Sequence, residues 1–77
     1  MNNFYKKFKI GDIIQHKKEK DFILEVVSYD NSNYLSTSGE YVLRDLNSSS
    51  YFNSNMPFID LNYRKLSDLG QILYKNS

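Results

Sequence analysis

The sequence predicts a mainly β fold: one small five-stranded barrel with a short C-terminal helix. Three observations predict it. Short stretches rich in β-branched and aromatic residues recur at intervals of about ten residues, as in small β-barrels. Turn-forming Gly, Asn and Asp residues separate these stretches. Towards the end of the chain, the apolar residues change to helical spacing.

The size and composition of the chain indicate a single domain. A domain of 77 residues buries only roughly 60% of the surface of its unfolded chain. It has no cysteine, so aromatic burial by seven Tyr and five Phe replaces disulfides, and a homodimer interface is a second source of buried area. With no apolar leader and no long apolar run, the chain is predicted to be cytoplasmic and without a membrane partner.

The first strand is expected at residues 12–16, after a polar N-terminal lead over residues 1–7. Gly11 and Asp12 supply the turn that enters it. The isoleucines that follow favour an extended backbone. Everything after this strand is expected to pair back towards it.

The middle of the chain is predicted to form a three-stranded meander. Residues 21–29 are apolar on both faces, which is typical of a central strand covered on both sides. A short strand over 34–37 and a returning strand over 40–46 flank Ser38 and Gly39, which are typical of a hairpin turn.

The C-terminal part is predicted to hold a loop, a strand and a helix. Residues 47–55 are expected to form a polar loop, and residues 56–60 a last strand that Pro57 places at an edge. A helical turn is expected over 62–66, followed by a short helix within 67–74 whose apolar side packs on the barrel. That apolar side comprises Leu66, Leu69, Ile72 and Leu73.

The order of these elements resembles small SH3-like barrels of the bacterial and phage type. The resemblance rests on Phe-x-Ile-Gly-Asp-Ile-Ile at residues 8–14, the basic loop, the tight hairpins and the closing helical turn. It covers residues 8–66 and leaves 67–77 as a C-terminal extension, either a helix packed on the barrel or a flexible tail. The resemblance concerns the fold and does not specify a function.

The residue inventory predicts no enzyme. His16 is the only histidine, cysteine is absent, and no serine stands in a nucleophile motif. We therefore predict no catalytic residue, no metal site and no cofactor. Glu25 and Asp45 interrupt strand faces that are otherwise apolar. A cross-strand pair of Glu25 with Arg44 is the simplest explanation, if the register places the two residues opposite each other. The formal net charge of +1 disfavours both a strongly basic nucleic-acid binder and an acidic DNA mimic.

The leading hypothesis is a protein-binding module that acts through Tyr51, Phe52, Asn53 and Asn55. Aromatic anchors flanked by Ser and Asn are typical of adaptable protein-binding loops, although one ring folding back to cap the barrel is an equal alternative. The Asn-rich, Ala-free composition favours a phage or mobile-element gene from an AT-rich host. A small modulator or inhibitor of a host or defence protein, acting sterically in the host cytoplasm, is the resulting hypothesis.

Two alternatives remain open. A nucleic-acid-binding barrel would contact phosphates through a basic patch, although a solvated charged hairpin explains the same residues. That patch comprises Lys17, Lys18, Lys20, Arg64 and Lys65. The second alternative is a homo-oligomeric structural or assembly protein, built through the edge strand and the paired aromatic residues.

Overall fold

A computed structural model describes residues 7–30 and 39–75, and these residues form one five-stranded antiparallel sheet with two short helices. The mainly β prediction is confirmed at this level. In chain order the elements are β1 (Ile13–His16), β2 (Ile23–Asp30), β3 (Glu40–Asp45), β4 (Tyr51–Asn55), α1 (Met56–Asn62), β5 (Tyr63–Lys65) and α2 (Asp68–Lys75). Across the sheet the strands lie in the order β4-β3-β2-β1-β5.

The predicted Gly-Asp turn leads into β1. Gly11 has a φ of 96°, which a residue without a side chain adopts without strain. Its N–H donates to the Val26 carbonyl at 2.7 Å. One carboxylate oxygen of Asp12 accepts from the Lys9 N–H at 2.9 Å. These bonds fix the start of β1 beside β2.

The β2 strand lies at the centre of the sheet, as its two apolar faces predict. It pairs with β1 through Ile14 opposite Leu24 and with β3 through Val26 opposite Leu43. A bulge interrupts the β2–β3 register between Val26 and Ser28. One face of the sheet, with α1 and the segment before β1, encloses the core cluster of Phe8, Ile14, Leu24, Val26, Tyr41, Leu43, Met56, Ile59 and Tyr63.

The polar loop predicted over 47–55 is wrong in its second half, because Tyr51–Asn55 forms β4 along β3. The connection is shorter than predicted because Asp45 organises a tight turn. Its carboxylate accepts from the Asn47 N–H at 2.8 Å, and its own N–H donates to the Ser50 carbonyl at 2.8 Å. The Ser and Asn residues predict a loop, but backbone pairing with β3 makes residues 51–55 a strand.

The strand predicted over 56–60 is also wrong, because these residues lie in helix α1. The side chain of Asn55 caps the helix by accepting the Phe58 N–H at 2.8 Å, and Pro57 lies in the first turn, where its missing N–H costs nothing. The helical turn predicted over 62–66 is wrong as well. Residues Tyr63–Lys65 form β5, which pairs with β1.

Helix α2 occupies the predicted position, with the Ser67 hydroxyl accepting the Gly70 N–H at 3.3 Å. Its predicted orientation is wrong. Gln71 is its buried residue, whereas Leu69 and Leu73 on the opposite side are exposed. The helix is held to the sheet by polar contacts and turns its apolar side outward.

Some predicted segments lie outside the described residues. They are the strand over 34–37, Ser38 of the hairpin turn and residues 1–6 of the N-terminal lead. Among the described residues, neither helix has the length and apolar character needed to cross a bilayer.

Candidate functional site

The β4 strand forms one edge of the sheet and carries the aromatic pair that the sequence singled out. Tyr51 lies opposite Arg44, and Phe52 lies opposite Leu43. Neighbouring residues of a strand point to opposite faces, so Phe52 lies on the core side and Tyr51 on the outer side. Tyr51 is 64% exposed and Phe52 is 41% exposed. The two rings therefore flank the edge, and neither is enclosed by the core.

Two hydrogen bonds define which residues of β4 face β3. The Asp45 N–H donates to the Ser50 carbonyl at 2.8 Å, before β4 begins. The Met56 N–H donates to the Gly39 carbonyl at 3.2 Å, just after β4 ends. In an antiparallel ladder the bonded positions alternate. The even-numbered residues of β4 therefore direct their backbone groups towards β3.

The odd-numbered residues of β4 direct their backbone groups away from the sheet. Tyr51 and Asn53 are the two in the body of the strand. β3 is the one described strand that pairs with β4, so within the described ranges these outward groups have no partner in the sheet. These unpaired groups form a template on which an additional strand can bind.

Asn53 and Asn55, predicted as part of the binding site, have structural partners. The Asn53 amide nitrogen donates to the carboxylates of Asp30 at 3.0 Å and Glu40 at 3.4 Å. The Asn55 side chain caps α1. Of the four predicted contact residues, Tyr51 and Phe52 are thus the pair whose side chains are available for a partner.

The structure brings the basic loop next to β5. The Lys17 N–H donates to the Asn62 carbonyl at 2.9 Å, and Arg64 lies opposite Gln15 in the β1–β5 pair. The Gln15 amide in turn donates to the Lys20 carbonyl at 2.9 Å. The loop and the β5 edge therefore form one side of the molecule, where Lys17, Lys18, Lys20 and Arg64 are exposed.

Lys65, the last member of the predicted basic patch, lies apart from the loop. Its amine is 3.5 Å from a carboxylate oxygen of Asp12, which offsets its charge. An open depression of about 320 Å³ lies beside it, lined by Arg64, Lys65, Leu66 and Ser67.

The contacts of His16 give it a structural role in the loop after β1. Its Nδ1 accepts the N–H groups of Lys18 at 3.0 Å and Glu19 at 2.9 Å, which holds the loop after β1. Its ring stands edge-on to those of Phe22 and Tyr63. Within the described ranges, no group of three or more His, Asp or Glu side chains could hold a metal ion.

Tyr41 is the most enclosed polar side chain of the core. Its hydroxyl donates to Asp60 at 2.7 Å and accepts the Phe8 N–H at 3.2 Å. Burial, reinforced by the hydrogen bond to the Asp60 carboxylate, raises the pKa of Tyr41 well above its usual range. These contacts tie the segment before β1 to α1, so we assign Tyr41 to the framework and not to a binding site.

The predicted Glu25–Arg44 pair is confirmed. The two residues are directly opposite each other in the β2–β3 register, and the guanidinium donates to one Glu25 oxygen at 2.9 and 3.1 Å. The pair lies on the outer face of the sheet. Tyr51 of β4 is the cross-strand partner of Arg44 on that face. It fixes the surface beside the exposed tyrosine.

Sequence reasoning missed a second exposed surface, the outward side of α2. Leu69, Ile72 and Leu73 are all more than half exposed. Their helical spacing is visible in the sequence, but it predicts burial. Gln71 is the residue that could have indicated the opposite orientation, because its polar side chain faces the sheet and bonds the backbone of Ile13.

No protein-family model, no curated protein and no solved structure matches this chain. The assignment of a site therefore depends on the geometry of the described residues.

Proposed function

We propose that this protein is a non-enzymatic module that binds another protein by adding an extended segment of that partner to β4. The observation that carries the proposal is the outer edge of β4, which no other described strand pairs with and where Tyr51 and Asn53 direct their backbone groups outward. In this mode of recognition, main-chain hydrogen bonds provide affinity and side chains next to the edge provide specificity.

The contrast between the two edges of the sheet supports β4 as the binding edge. Natural proteins protect exposed edges with charged residues, especially lysine. The β5 edge carries Arg64 and Lys65, whereas the sequence of β4 is Tyr-Phe-Asn-Ser-Asn, with no charge and no proline. The described part of β4 has no bulge either, since its register with β3 is continuous. In the part of the chain that the structure describes, β4 therefore lacks the usual protection against an added strand.

The aromatic pair would hold the added strand from both sides. Tyr51 and Phe52 project to opposite faces of the sheet at the edge. A partner strand beside β4 would therefore meet one ring on each face. Aromatic side chains of this kind supply most of the binding energy in many interfaces.

We also propose that the five-stranded sheet is part of an SH3-like barrel. The direct pairing of β1 with β5, across a chain segment that includes the other three strands, supports it. The proposed role is that of a small phage-encoded modulator or inhibitor of a host or defence protein, which the residue composition supports. Occupation of β4 would then act sterically, by holding a segment that the target needs.

A second candidate function is nucleic-acid binding on the side of the basic loop. The observation that favours it is the bond between Lys17 and Asn62, which aligns the loop with Arg64 on β5. A complex that depends on phosphate contacts weakens steeply with salt, with a slope near −0.7 per neutralised phosphate for single strands. A complex on the uncharged β4 edge responds little to salt.

The experiment that tests the proposal is a pull-down from bacterial lysate with the full chain, in parallel with and without nuclease. We expect a stoichiometric protein partner that survives nuclease and is lost with Tyr51→Ser/Phe52→Ser. The matched control is Phe58→Ser/Leu61→Ser, which removes two exposed apolar side chains from α1 and should retain the partner. Recovery of nucleic acid alone, unaffected by the β4 changes, would contradict the proposal and favour the basic side.

A further inference from the structure

Helix α2 presents an apolar face to solvent. Leu69, Ile72 and Leu73 lie on one side of the helix because they are three and four residues apart. They are 67%, 55% and 63% exposed. Single exposed apolar residues are ordinary, but a contiguous group on one surface indicates an interaction site.

The face is held in a fixed orientation. Gln71 is two residues from both Leu69 and Leu73, so it lies on the opposite side of the helix. Its amide bonds both backbone groups of Ile13 in β1, at 2.7 and 2.6 Å. Gly70 approaches Leu66 so closely that an added Cβ would lie 3.0 Å from the Leu66 Cβ. These contacts anchor the inner side of α2 and leave the apolar side outward.

Opposite charges lie at the two ends of this face. Asp68 begins α2 and Lys75 ends it. They are seven residues apart, so both lie on the same flank of the helix. Within the described ranges neither forms an ion pair, and the Lys75 amine lies beside Gly11.

We propose that α2 packs antiparallel against α2 of a second copy of this chain, around a two-fold axis close to Ile72. That arrangement brings Leu69 of each copy against Leu73 of the other. It also brings Asp68 of each copy beside Lys75 of the other, because both residues lie on one flank. The surface is thus complementary to itself, as the interface of a two-fold dimer requires.

The size of the face determines how strong this dimer is. A helix of eight residues is about 12 Å long, so its contact area is well below the ~800 Å² per partner of a standard interface. The dimer is therefore weak and forms at high concentration. It adds buried apolar area to a domain whose own core is small. It uses a surface other than β4 and does not depend on the function proposed above.

Sedimentation velocity of the full chain across the micromolar to millimolar range tests the inference. We expect the sedimentation coefficient to rise from monomer to dimer. Leu69→Gln/Leu73→Gln should raise the dissociation constant at least ~10-fold, because it removes most of the shared apolar contact. Leu61→Gln, at a 73% exposed position of α1, should leave the constant unchanged. Circular dichroism verifies that each variant is folded.

Charge reversal tests the antiparallel geometry. Asp68→Lys alone and Lys75→Asp alone should each weaken the dimer several-fold, since each places like charges together. Asp68→Lys/Lys75→Asp should restore it, although both changes oppose the helix dipole. Tyr51→Ser in β4 should have no effect.

Three results would overturn the inference. They are a monomer at every concentration, a dimer indifferent to the α2 variants, and a double charge reversal that fails to restore dimerisation. Each leaves the β4 pull-down unaffected, so failure of this inference is distinguishable from failure of the proposed function.

Discussion

The Gln71 side chain pairs with the backbone of Ile13 as a neighbouring strand would. Its amide oxygen accepts the Ile13 N–H at 2.7 Å, and its amide nitrogen donates to the Ile13 carbonyl at 2.6 Å. The same nitrogen also donates to the Leu66 carbonyl at 3.1 Å. Gln71 is only 7% exposed, with its polar atoms satisfied. A polar residue, and not an apolar face, is what docks α2 on the sheet.

Replacement of Gln71 by Ala should release α2 from β1. The Ile13 N–H then loses its partner, which costs about 1 to 3 kcal/mol for a buried group that stays unsatisfied. We expect faster amide hydrogen exchange at Ile13 and unchanged exchange at Val26, which bonds the Asp12 carbonyl. Gln15→Ala is the matched control, because the one bond of the Gln15 side chain to a described residue goes to the exposed Lys20 carbonyl. Unchanged protection of Ile13 in Gln71→Ala would show that this contact does not hold the helix.

Tyr41 should make the protein less stable at alkaline pH. Burial and the bond to Asp60 raise the pKa of Tyr41 in the folded state, whereas the unfolded chain ionises near its ordinary value of about 10. Above that pH the unfolded state binds fewer protons than the folded state, so the free energy of unfolding falls as pH rises. Urea denaturation between pH 7 and pH 11 measures this fall. Part of it should persist without Tyr41, because burial also raises the pKa of Tyr63.

The variant Tyr41→Phe tests two roles of the Tyr41 hydroxyl, as a hydrogen-bonding group at pH 7 and as an ionising group at alkaline pH. At pH 7 it should lower the free energy of unfolding by about 1 to 2 kcal/mol, since the buried Phe8 N–H loses its acceptor. It should also make the alkaline fall shallower. Tyr51→Phe, at an exposed position, should leave stability at pH 7 unchanged. An alkaline fall of the same steepness in Tyr41→Phe would contradict this assignment.

Asn55 should contribute to stability and not to partner binding. Asn55→Ala removes the cap of α1 and should cost about 1 kcal/mol, whereas Asn55→Asp keeps an acceptor for the Phe58 N–H and should cost much less. Thermal or urea denaturation measures both. A pull-down with Asn55→Ala at a temperature where it is folded should recover the same partner as the wild type. Loss of the partner with intact stability would instead place Asn55 in the interface.

The first half of the fold is readable from the sequence because its signals are local. A glycine turn before β1 and a doubly apolar central strand need no tertiary information, and the Glu25–Arg44 pair follows from the strand faces. The errors begin at β4, where Ser and Asn predict a loop. Pairing with β3 overrides that composition, and the position of β4 at an edge leaves its side chains exposed.

The other errors have equally specific causes. Asn55 followed by Pro57 is a helix start, since Asn caps and Pro is tolerated in the first turn, but the same proline also marks edge strands. The outward face of α2 was not predictable from apolar spacing. The spacing of apolar residues identifies one face of the helix. It does not show whether a polar residue on the other face, such as Gln71, packs against the sheet instead.

A comparison of Asn53→Pro with Asn53→Ala in the pull-down tests strand addition at β4 most directly. The Asn53 N–H points away from β3, so proline removes a donor from the free edge and spares the ladder within the sheet. Both variants lose the amide contacts to Asp30 and Glu40, which makes alanine the matched control. Equal stability of the two variants in urea denaturation verifies that the sheet is intact. We expect Asn53→Ala to retain the partner and Asn53→Pro to lose it. Equal capture by two folded variants would contradict strand addition at β4.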